Sequence, residues 1–470
     1  MQTPLPQASL PVDGLAPSVD PLFTDLYELT MLQAYVEEGM LEPAVFSLFV
    51  RRLPPKRNVL FACGLDTVLQ YLERLRFTAS DLDYLRSLGQ FSDGFLHWLS
   101  HFRFTGDVRA VPEGTTVFAG EPILEISAPL PEAQLVETFV MNQIHLQTML
   151  ASKAYRVVEA AQGRPVIDFG ARRMHGTDAA IKAARAFYVA GVHATSNVEA
   201  GQRFGIPVSG TMAHSYIQAH EDELDAFDAF TRLYPETVLL VDTYDTLVGV
   251  DNVIRLARRL GDDFRVTAIR LDSGDLGALA LEARRRLNEA GLERVRVFAS
   301  GSLDEYAIAE LLASGAPIDG FGVGTRMGVS SDAPSLDIAY KLAEYAGQGR
   351  VKLSPQKPVL PGAKQVFRVQ EGNVDVRDVI GTAGEEHPGR VLLEDVMKNG
   401  KRIDPHSDNL QPIRLHAAEQ LDRLPDRIRR IEAADPPYPV EVSPSLSRLQ
   451  HSIELAVSER SEAHEMPTKT

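Results

Sequence analysis

Residues 206–220 read Ile-Pro-Val-Ser-Gly-Thr-Met-Ala-His-Ser-Tyr-Ile-Gln-Ala-His. The apolar run at 206–208 stops at Ser209-Gly210, and a helical pattern starts near Ser215. His214 therefore belongs to a short turn between a strand and a helix. In α/β folds that turn lies at the carboxyl edge of the sheet, where ligands bind. An imidazole there is a satisfied structural side chain, a metal ligand, or a base or nucleophile. The metal reading lacks a second ligand, because His220 is six residues on and would face another side of a helix. The base or nucleophile reading needs an orienting carboxylate, and Asp242 in Val241-Asp242-Thr243-Tyr244-Asp245 is placed to supply one.

Four other clusters could do chemistry. Asp168-Phe169-Gly170-Ala171-Arg172-Arg173 sets an aromatic face beside guanidinium groups. A flat anionic ring would fit, with the ring on Phe169 and a carboxylate on Arg172; a core Phe with surface arginines is the plain alternative. Arg270-Leu271-Asp272-Ser273-Gly274-Asp275 places two carboxylates around a glycine turn, suited to a ribose diol or Mg²⁺. A helix N-cap easily accounts for Asp275 but less well for Asp272, which sits on the strand end beside Arg270. Ser300-Gly301-Ser302 and Gly322-Val323-Gly324-Thr325-Arg326 offer free backbone N–H groups with an adjacent Arg, which suit a phosphate. Either is an ordinary turn on its own. Together, at neighbouring strand ends, they favour phosphate.

The elements that position these residues alternate. Strands are expected at 165–169, 191–195, 206–209, 237–242, 265–272, 294–300 and 318–323. Helices are expected at 177–189, 198–204, 215–233, 250–260, 276–290 and 304–313, with Thr177 and Ser302 as N-caps. Such alternation predicts parallel βαβ units, and seven in succession fit an α/β barrel better than an open sheet. No Gly-x-Gly-x-x-Gly follows an early strand, which argues against a dinucleotide fold. In a barrel all these strand ends converge on one face.

The flanks read differently. A helix at 24–39, strands at 44–50, 107–110 and 122–127, and a long helix at 132–161 precede the barrel. Short strands return at 350–400, and 402–455 reads as helical. The chain thus divides into a disordered leader (1–21) and an N-terminal α+β domain (22–160). The α/β barrel (161–345) follows, then strands returning to the first domain (346–405), then a helical extension and polar tail (406–470).

Composition sets the bounds. The 470 residues are 44% hydrophobic with a net charge of −16, a poor balance for nucleic acid or an anionic membrane. Cys63 is the sole cysteine, so there is no disulfide framework and no thiolate zinc site, which suits a cytoplasmic location. The five prolines of 1–21 and the lack of a basic and apolar pairing there read as a leader other than a signal peptide. No apolar run is long enough for a membrane span.

An ordered set of motifs resembles the nicotinate phosphoribosyltransferase family: Thr24-Asp25-Leu26-Tyr27, the Asp168–Arg173 cluster, Ser196-Asn197-Val198-Glu199-Ala200-Gly201, Gly210-Thr211-Met212-Ala213-His214-Ser215, and the Asp242, Arg270 and Gly322 clusters. Lys352-Leu353-Ser354 and Leu360-Pro361-Gly362 extend the likeness, which covers about residues 22–400. The resemblance implies an incomplete α/β barrel of the type II phosphoribosyltransferase kind, with the α+β domain at its side. It implies a homodimer with active sites at the interface. It also implies ATP-coupled transfer from phosphoribosyl pyrophosphate to nicotinate, giving nicotinate mononucleotide and pyrophosphate, with Mg²⁺ held through the pyrophosphate.

Carried across, His214 resembles the histidine that ATP phosphorylates and Asp242 the carboxylate that orients it. Phe169 and Tyr27, the latter from the partner subunit, look like the two faces around the pyridine ring. Arg172 resembles the contact to the ring substituent. Arg270 and Asp272 would hold ribose and pyrophosphate, and Ser300, Gly301, Gly324 and Thr325 the 5′-phosphate. The related nicotinamide enzymes carry an aspartate where Ser196 stands; that carboxylate would repel nicotinate, so Ser196 favours nicotinate. A nicotinamide phosphoribosyltransferase and a catalytically silent binding subunit are the alternatives.

Overall fold

The computed structural model describes residues 20–353, 359–404 and 409–465. Residues 1–19 of the expected leader lie outside the described residues, as do Ser354 and the last five residues of the expected tail.

Six short strands form one all-parallel sheet: Val166–Asp168, Ala194–Thr195, Val238–Leu240, Ala268–Leu271, Arg296–Ala299 and Gly320–Val323. Val166–Asp168 pairs with both Ala194–Thr195 and Gly320–Val323, so the sheet curls round to join its first unit to its last. The expected strand at 206–209 contributes only one parallel bridge, Val208 to Thr195. Pro207 has no N–H with which to extend it. Among the described residues nothing bridges that stretch to Val238–Leu240, so the wall is open there and the barrel is incomplete. The strands are apolar on both faces, as parallel strands under helices must be; Leu239, Leu240, Ile269, Leu271, Val297 and Phe321 are fully buried.

Asx residues start most of the barrel helices. Asn197, Asp222, Asp245, Asp275 and Asp304 each accept hydrogen bonds from backbone N–H groups of the helix that follows. Each cap satisfies orphan donors and fixes the loop that leads from strand to helix. Two expected caps differ. Gly176, not Thr177, precedes Thr177–Val189. Asp304, not Ser302, caps Glu305–Ala313, because Ser302 is in the left-handed region at φ +53° and cannot supply an extended N-cap. The expected single helix at 215–233 is two, His214–Gln218 and Glu223–Leu233, since Asp222 starts a second one.

An antiparallel sheet stands beside the barrel. Its order is Gln348–Gly349, Ile338–Tyr345, Pro43–Val50, Pro122–Pro129, Asp107–Ala110, Glu394–Lys398 and Lys401–Arg402, so strands from both sides of the barrel build it. Lys364–Glu371 and Val374–Thr382 form the centre of a separate four-stranded sheet with Arg390–Val391 and Val440–Val442.

Buried ion pairs tie the two halves. The Lys153 ammonium on helix Glu137–Ala160 meets Glu305 Oε2 at 2.5 Å and Asp332 Oδ1 at 2.7 Å. Arg156 Nε meets Glu305 Oε1 at 2.8 Å. Arg185 grips Glu113 with two bonds of 2.9 and 2.6 Å. At the chain's far end, Arg414 donates to the carbonyls of Tyr188 and Gly191 at 2.6 and 2.7 Å, closing the end of helix Thr177–Val189. No helix among the described residues is long and apolar enough to cross a membrane.

Candidate functional site

A cavity of about 740 Å³ opens at the carboxyl ends of the parallel strands. Phe169, Arg172, Ser196, His214, Arg270, Asp272, Ser300, Gly301, Gly324 and Thr325 all line it. Residues spread over more than 150 positions of sequence thus meet at one mouth, as the barrel geometry requires.

The first strand delivers Phe169. Asp168, at the strand end, is fully buried and holds the turn: Oδ1 accepts from Gly170 N–H at 2.8 Å and Oδ2 from the Thr195 hydroxyl at 2.8 Å. Burial pushes its carboxyl above the usual range. The Phe169 ring lies against the Gly322 backbone, where a Cβ would fall 2.5 Å from the ring. Glycine at 322 therefore lets the ring back onto the last strand while its other side faces the cavity. Arg172 and Arg173 follow in the exposed turn Ala171–Arg173, and neither has an acidic partner among the described residues. Ser196 is exposed beside them, its N–H donated to the Asp168 carbonyl.

Arg270 is the hub of the floor. Its Nε donates to Thr211 Oγ1 at 3.2 Å, Nη1 to Asp272 Oδ1 at 2.9 Å and to Ser300 Oγ at 3.0 Å, and Nη2 to the Met212 carbonyl at 3.0 Å. Burial lowers its pKa, with Asp272 and Asp242 opposing that shift. Ser300 Oγ also donates to Asp272 Oδ1. The hub thus fixes the 210–213 loop, the Asp272 carboxylate and the Ser300 turn in one frame.

His214 is half-buried at the start of helix His214–Gln218. Its Nδ1 lies 3.1 Å from Thr243 Oγ1, and Nε2 lies 3.8 Å from Asp272 Oδ2. The expected orienting bond from Asp242 is not made. Asp242 Oδ2 instead accepts from Asp272 N–H at 3.1 Å and from the Ser273 hydroxyl at 2.6 Å, while Oδ1 is buried without a partner. Asp242 therefore holds the Asp272 turn, and Thr243 is the residue in contact with His214. The His214 ring reaches the loop after Val238–Leu240 one residue past Asp242, at Thr243, while the Asp242 carboxylate is turned to the Asp272–Ser273 backbone and hydroxyl.

The two glycine turns face each other across the last strands. Gly301 sits at φ +88°, and a Cβ there would fall 1.8 Å from the Asp272 carbonyl oxygen, so only glycine fits. Gly324 precedes the short turn Thr325–Gly328, whose first N–H groups have no partner within the turn. Arg326 reaches back to pair with Asp304.

Charge in the cavity is one-sided. Arg172, Arg173, Arg270 and Arg326 line it with His214, against Asp272 alone among the lining carboxylates. This cationic pocket in a chain of net charge −16 fits an anionic ligand with several charges. No group of three or more His, Cys, Asp or Glu among the described residues could hold a metal. Mg²⁺ commonly rests on one or two carboxylates plus substrate phosphates, and Asp272 is the one carboxylate in the lining. Tyr27 is not in this chain's cavity; it is half-exposed on helix Leu26–Glu37 of the antiparallel half.

Arg173, Thr211, Met212, Ser302 and Arg326 also line the site, and Thr243 and Ser273 support it. Arg173 stood inside its motif without a role of its own, whereas Arg326 is the arginine that the sequence sets beside the Gly322–Thr325 turn. The Met212 carbonyl and the Thr243 hydroxyl carry no sequence signal of their own.

Comparison with known proteins points to one family along the chain. Family models for nicotinate phosphoribosyltransferase match residues 22–145 (N-terminal domain), 165–373 (family) and 389–450 (C-terminal domain). A nicotinate phosphoribosyltransferase of Mycobacterium tuberculosis is 57% identical over 92% of this chain and 95% of its own length. That of Bacillus subtilis is 37% identical over 90% of this chain and 92% of its own. The crystal structure of human nicotinic acid phosphoribosyltransferase superimposes with a TM-score of 0.82 at 28% identity, covering 91% of this chain and 99% of that one. With the same fold, and with relatives this similar along nearly the whole length, the chain belongs to the nicotinate phosphoribosyltransferase family.

Proposed function

We propose that the protein transfers the phosphoribosyl group of phosphoribosyl pyrophosphate to nicotinate, with ATP hydrolysis coupled to the transfer through His214. The products are nicotinate mononucleotide and pyrophosphate, the entry of nicotinate into NAD salvage. The observation that carries this reading is the meeting, in one cationic cavity, of an aromatic face, unpaired arginines and two glycine turns.

In this reading the pyridine ring lies on Phe169, and Tyr27 of a second copy covers its other face in a homodimer. Arg172 pairs with the carboxylate, and the Ser196 hydroxyl donates to it. Ser300, Gly301, Gly324 and Thr325 cradle the 5′-phosphate. Arg270 and Asp272 face the ribose and pyrophosphate. Charge builds on the ribosyl carbon as its bond to pyrophosphate breaks, and the Asp272 carboxylate stabilises that cation while the arginines hold the leaving anion. Mg²⁺, when bound, neutralises pyrophosphate charge, and Asp272 is the side chain to hold it.

His214 acts in a separate step. A neutral imidazole nitrogen gives its lone pair to the γ-phosphorus of ATP. The bond from that phosphorus to the bridging oxygen breaks, and ADP leaves with the electron pair. Thr243 steadies the ring and Asp242 fixes the neighbouring Asp272. The lone thiol, Cys63, is buried, and we place the protein in the reducing cytoplasm.

The test mixes purified protein, labelled nicotinate, phosphoribosyl pyrophosphate and Mg²⁺, with and without ATP. Mononucleotide forms, faster with ATP. His214→Ala abolishes ATP hydrolysis and its stimulation but keeps some ATP-independent transfer. No mononucleotide overturns the reading, faster turnover of nicotinamide moves it to the sister activity, and undiminished ATP stimulation in His214→Ala removes the phosphohistidine.

A further inference from the structure

The two glycine turns leave neighbouring strands, Arg296–Ala299 and Gly320–Val323, whose ladder sets the spacing of their backbones but not the side chains of the loops beyond. The side chain that spans them is Asp304. Its Oδ1 accepts the N–H groups of Tyr306 and Ala307 at 3.1 and 2.9 Å, which ends the Ser300–Asp304 loop in a helix cap. Its Oδ2 accepts from Arg326 Nη1, in the turn after Gly324-Thr325. The Asp304 side chain is 13% exposed and that of Arg326 is 49% exposed on the cavity lining. The next residue, Glu305, is fully buried and gripped by Lys153 and Arg156 of the antiparallel half. Asp304 is thereby anchored from behind, with Oδ2 turned to Arg326.

We propose that Asp304 is a positioning residue that orders Arg326 over the phosphate cradle, so that Arg326 joins Gly324 and Thr325 in binding the 5′-phosphate. This rests on the reading of the two turns as that phosphate's site. Unpaired, Arg326 would be a rotamer-rich side chain at the rim, and each phosphate contact would first have to order it. Held by Asp304, it keeps further N–H groups free for the ligand.

The cap and the ion pair can be separated. Asn caps a helix as well as Asp does but carries no charge for Arg326, and Ser caps but is too short to reach it. Asp304→Asn and Asp304→Ser should therefore melt within about 2 °C of wild type. The probe is ribose 5-phosphate, titrated calorimetrically, alongside the KM values for phosphoribosyl pyrophosphate and nicotinate. Arg326→Gln is expected to weaken the probe about tenfold. Either Asp304 variant weakens it about threefold to fivefold and raises the KM for phosphoribosyl pyrophosphate but not that for nicotinate. In the Arg326→Gln background the Asp304→Asn effect vanishes, because its target is gone. A loss that persists in the double variant, or wild-type affinity in both Asp304 variants, would overturn the role of Asp304 alone. A wild-type protein that binds no ribose 5-phosphate would sink the cradle assignment and this role together.

Discussion

Adding one methyl group at Gly301 should disable the site. An alanine Cβ there would lie 1.8 Å from the Asp272 carbonyl oxygen, where ordinary contact begins at 3.4 Å, so the two backbones must part by roughly 1.6 Å. The φ of +88° adds about 1–2 kcal/mol for a residue with a Cβ. Neither side yields easily. The Asp272 turn is held by Asp242, and the Asp272 carboxylate by Arg270 and Ser300. A displacement of this size is enough to cost about 100-fold in kcat/KM for phosphoribosyl pyrophosphate. The strain should cost about 2–4 kcal/mol, or, in a chain of this length, a melting temperature lower by roughly 2–4 °C. Gly210 lines the same mouth but has no atom within 4 Å of its ideal Cβ and no positive φ, so Gly210→Ala should melt within about 1 °C of wild type. Steady-state kinetics and scanning calorimetry on both variants decide the matter. A Gly301→Ala protein with kcat/KM within about threefold of wild type would refute the reasoning, because the cradle would then have room that the geometry denies.

Three further outcomes are expected. Ser196→Asp places a carboxylate against that of nicotinate and should raise the nicotinate KM about 10–100-fold while moving that of phosphoribosyl pyrophosphate much less; unchanged nicotinate KM would count against Ser196 as a pocket residue. Glu113→Gln leaves Arg185 buried without its counter-charge and should cost about 3 kcal/mol, read as a lower urea midpoint at constant slope. Burial pushes the Glu28 carboxyl from its ordinary 4.5 to about 7, with hydrogen bonds from Tyr27 and Gln134 opposing. Between those values the folded chain keeps a proton that the unfolded chain has lost, so this stabilisation is complete below 4.5 and fades as pH rises through about 7. Glu28→Gln should thus raise the melting temperature by roughly 1–3 °C at pH 8 and leave it unchanged near pH 4.5, and a pH-independent effect would rule out titration at Glu28.

Much of this was legible in the sequence because the barrel strands are nearly uninterrupted apolar runs. Buried on both faces, they announce themselves without alternation, and their last residues can be counted off. Phe169, Arg270, Asp272, Ser300 and Gly324 followed directly from that count. Two things did not. Pro207 cuts the third strand to a bridge and leaves the wall open there. His214 meets the expected loop at Thr243, and the Asp242 carboxylate beside it holds the Asp272 turn instead. The cap expected at Ser302 lies two residues early, since Ser302, bent into the left-handed region, leaves the cap to Asp304. Side-chain registers of this kind depend on loop dihedrals, which residue type constrains only loosely.

The four cavity arginines in a chain of net charge −16 have a kinetic consequence. A polyanionic substrate far from the protein meets a repulsive field, and only within about 8–10 Å of the mouth does local attraction take over. Added salt screens the long-range repulsion more strongly than the contact-range attraction at the mouth. Association of phosphoribosyl pyrophosphate should therefore be slowed little, or even quickened, by moderate salt, whereas a protein with net positive charge would lose its on-rate steadily.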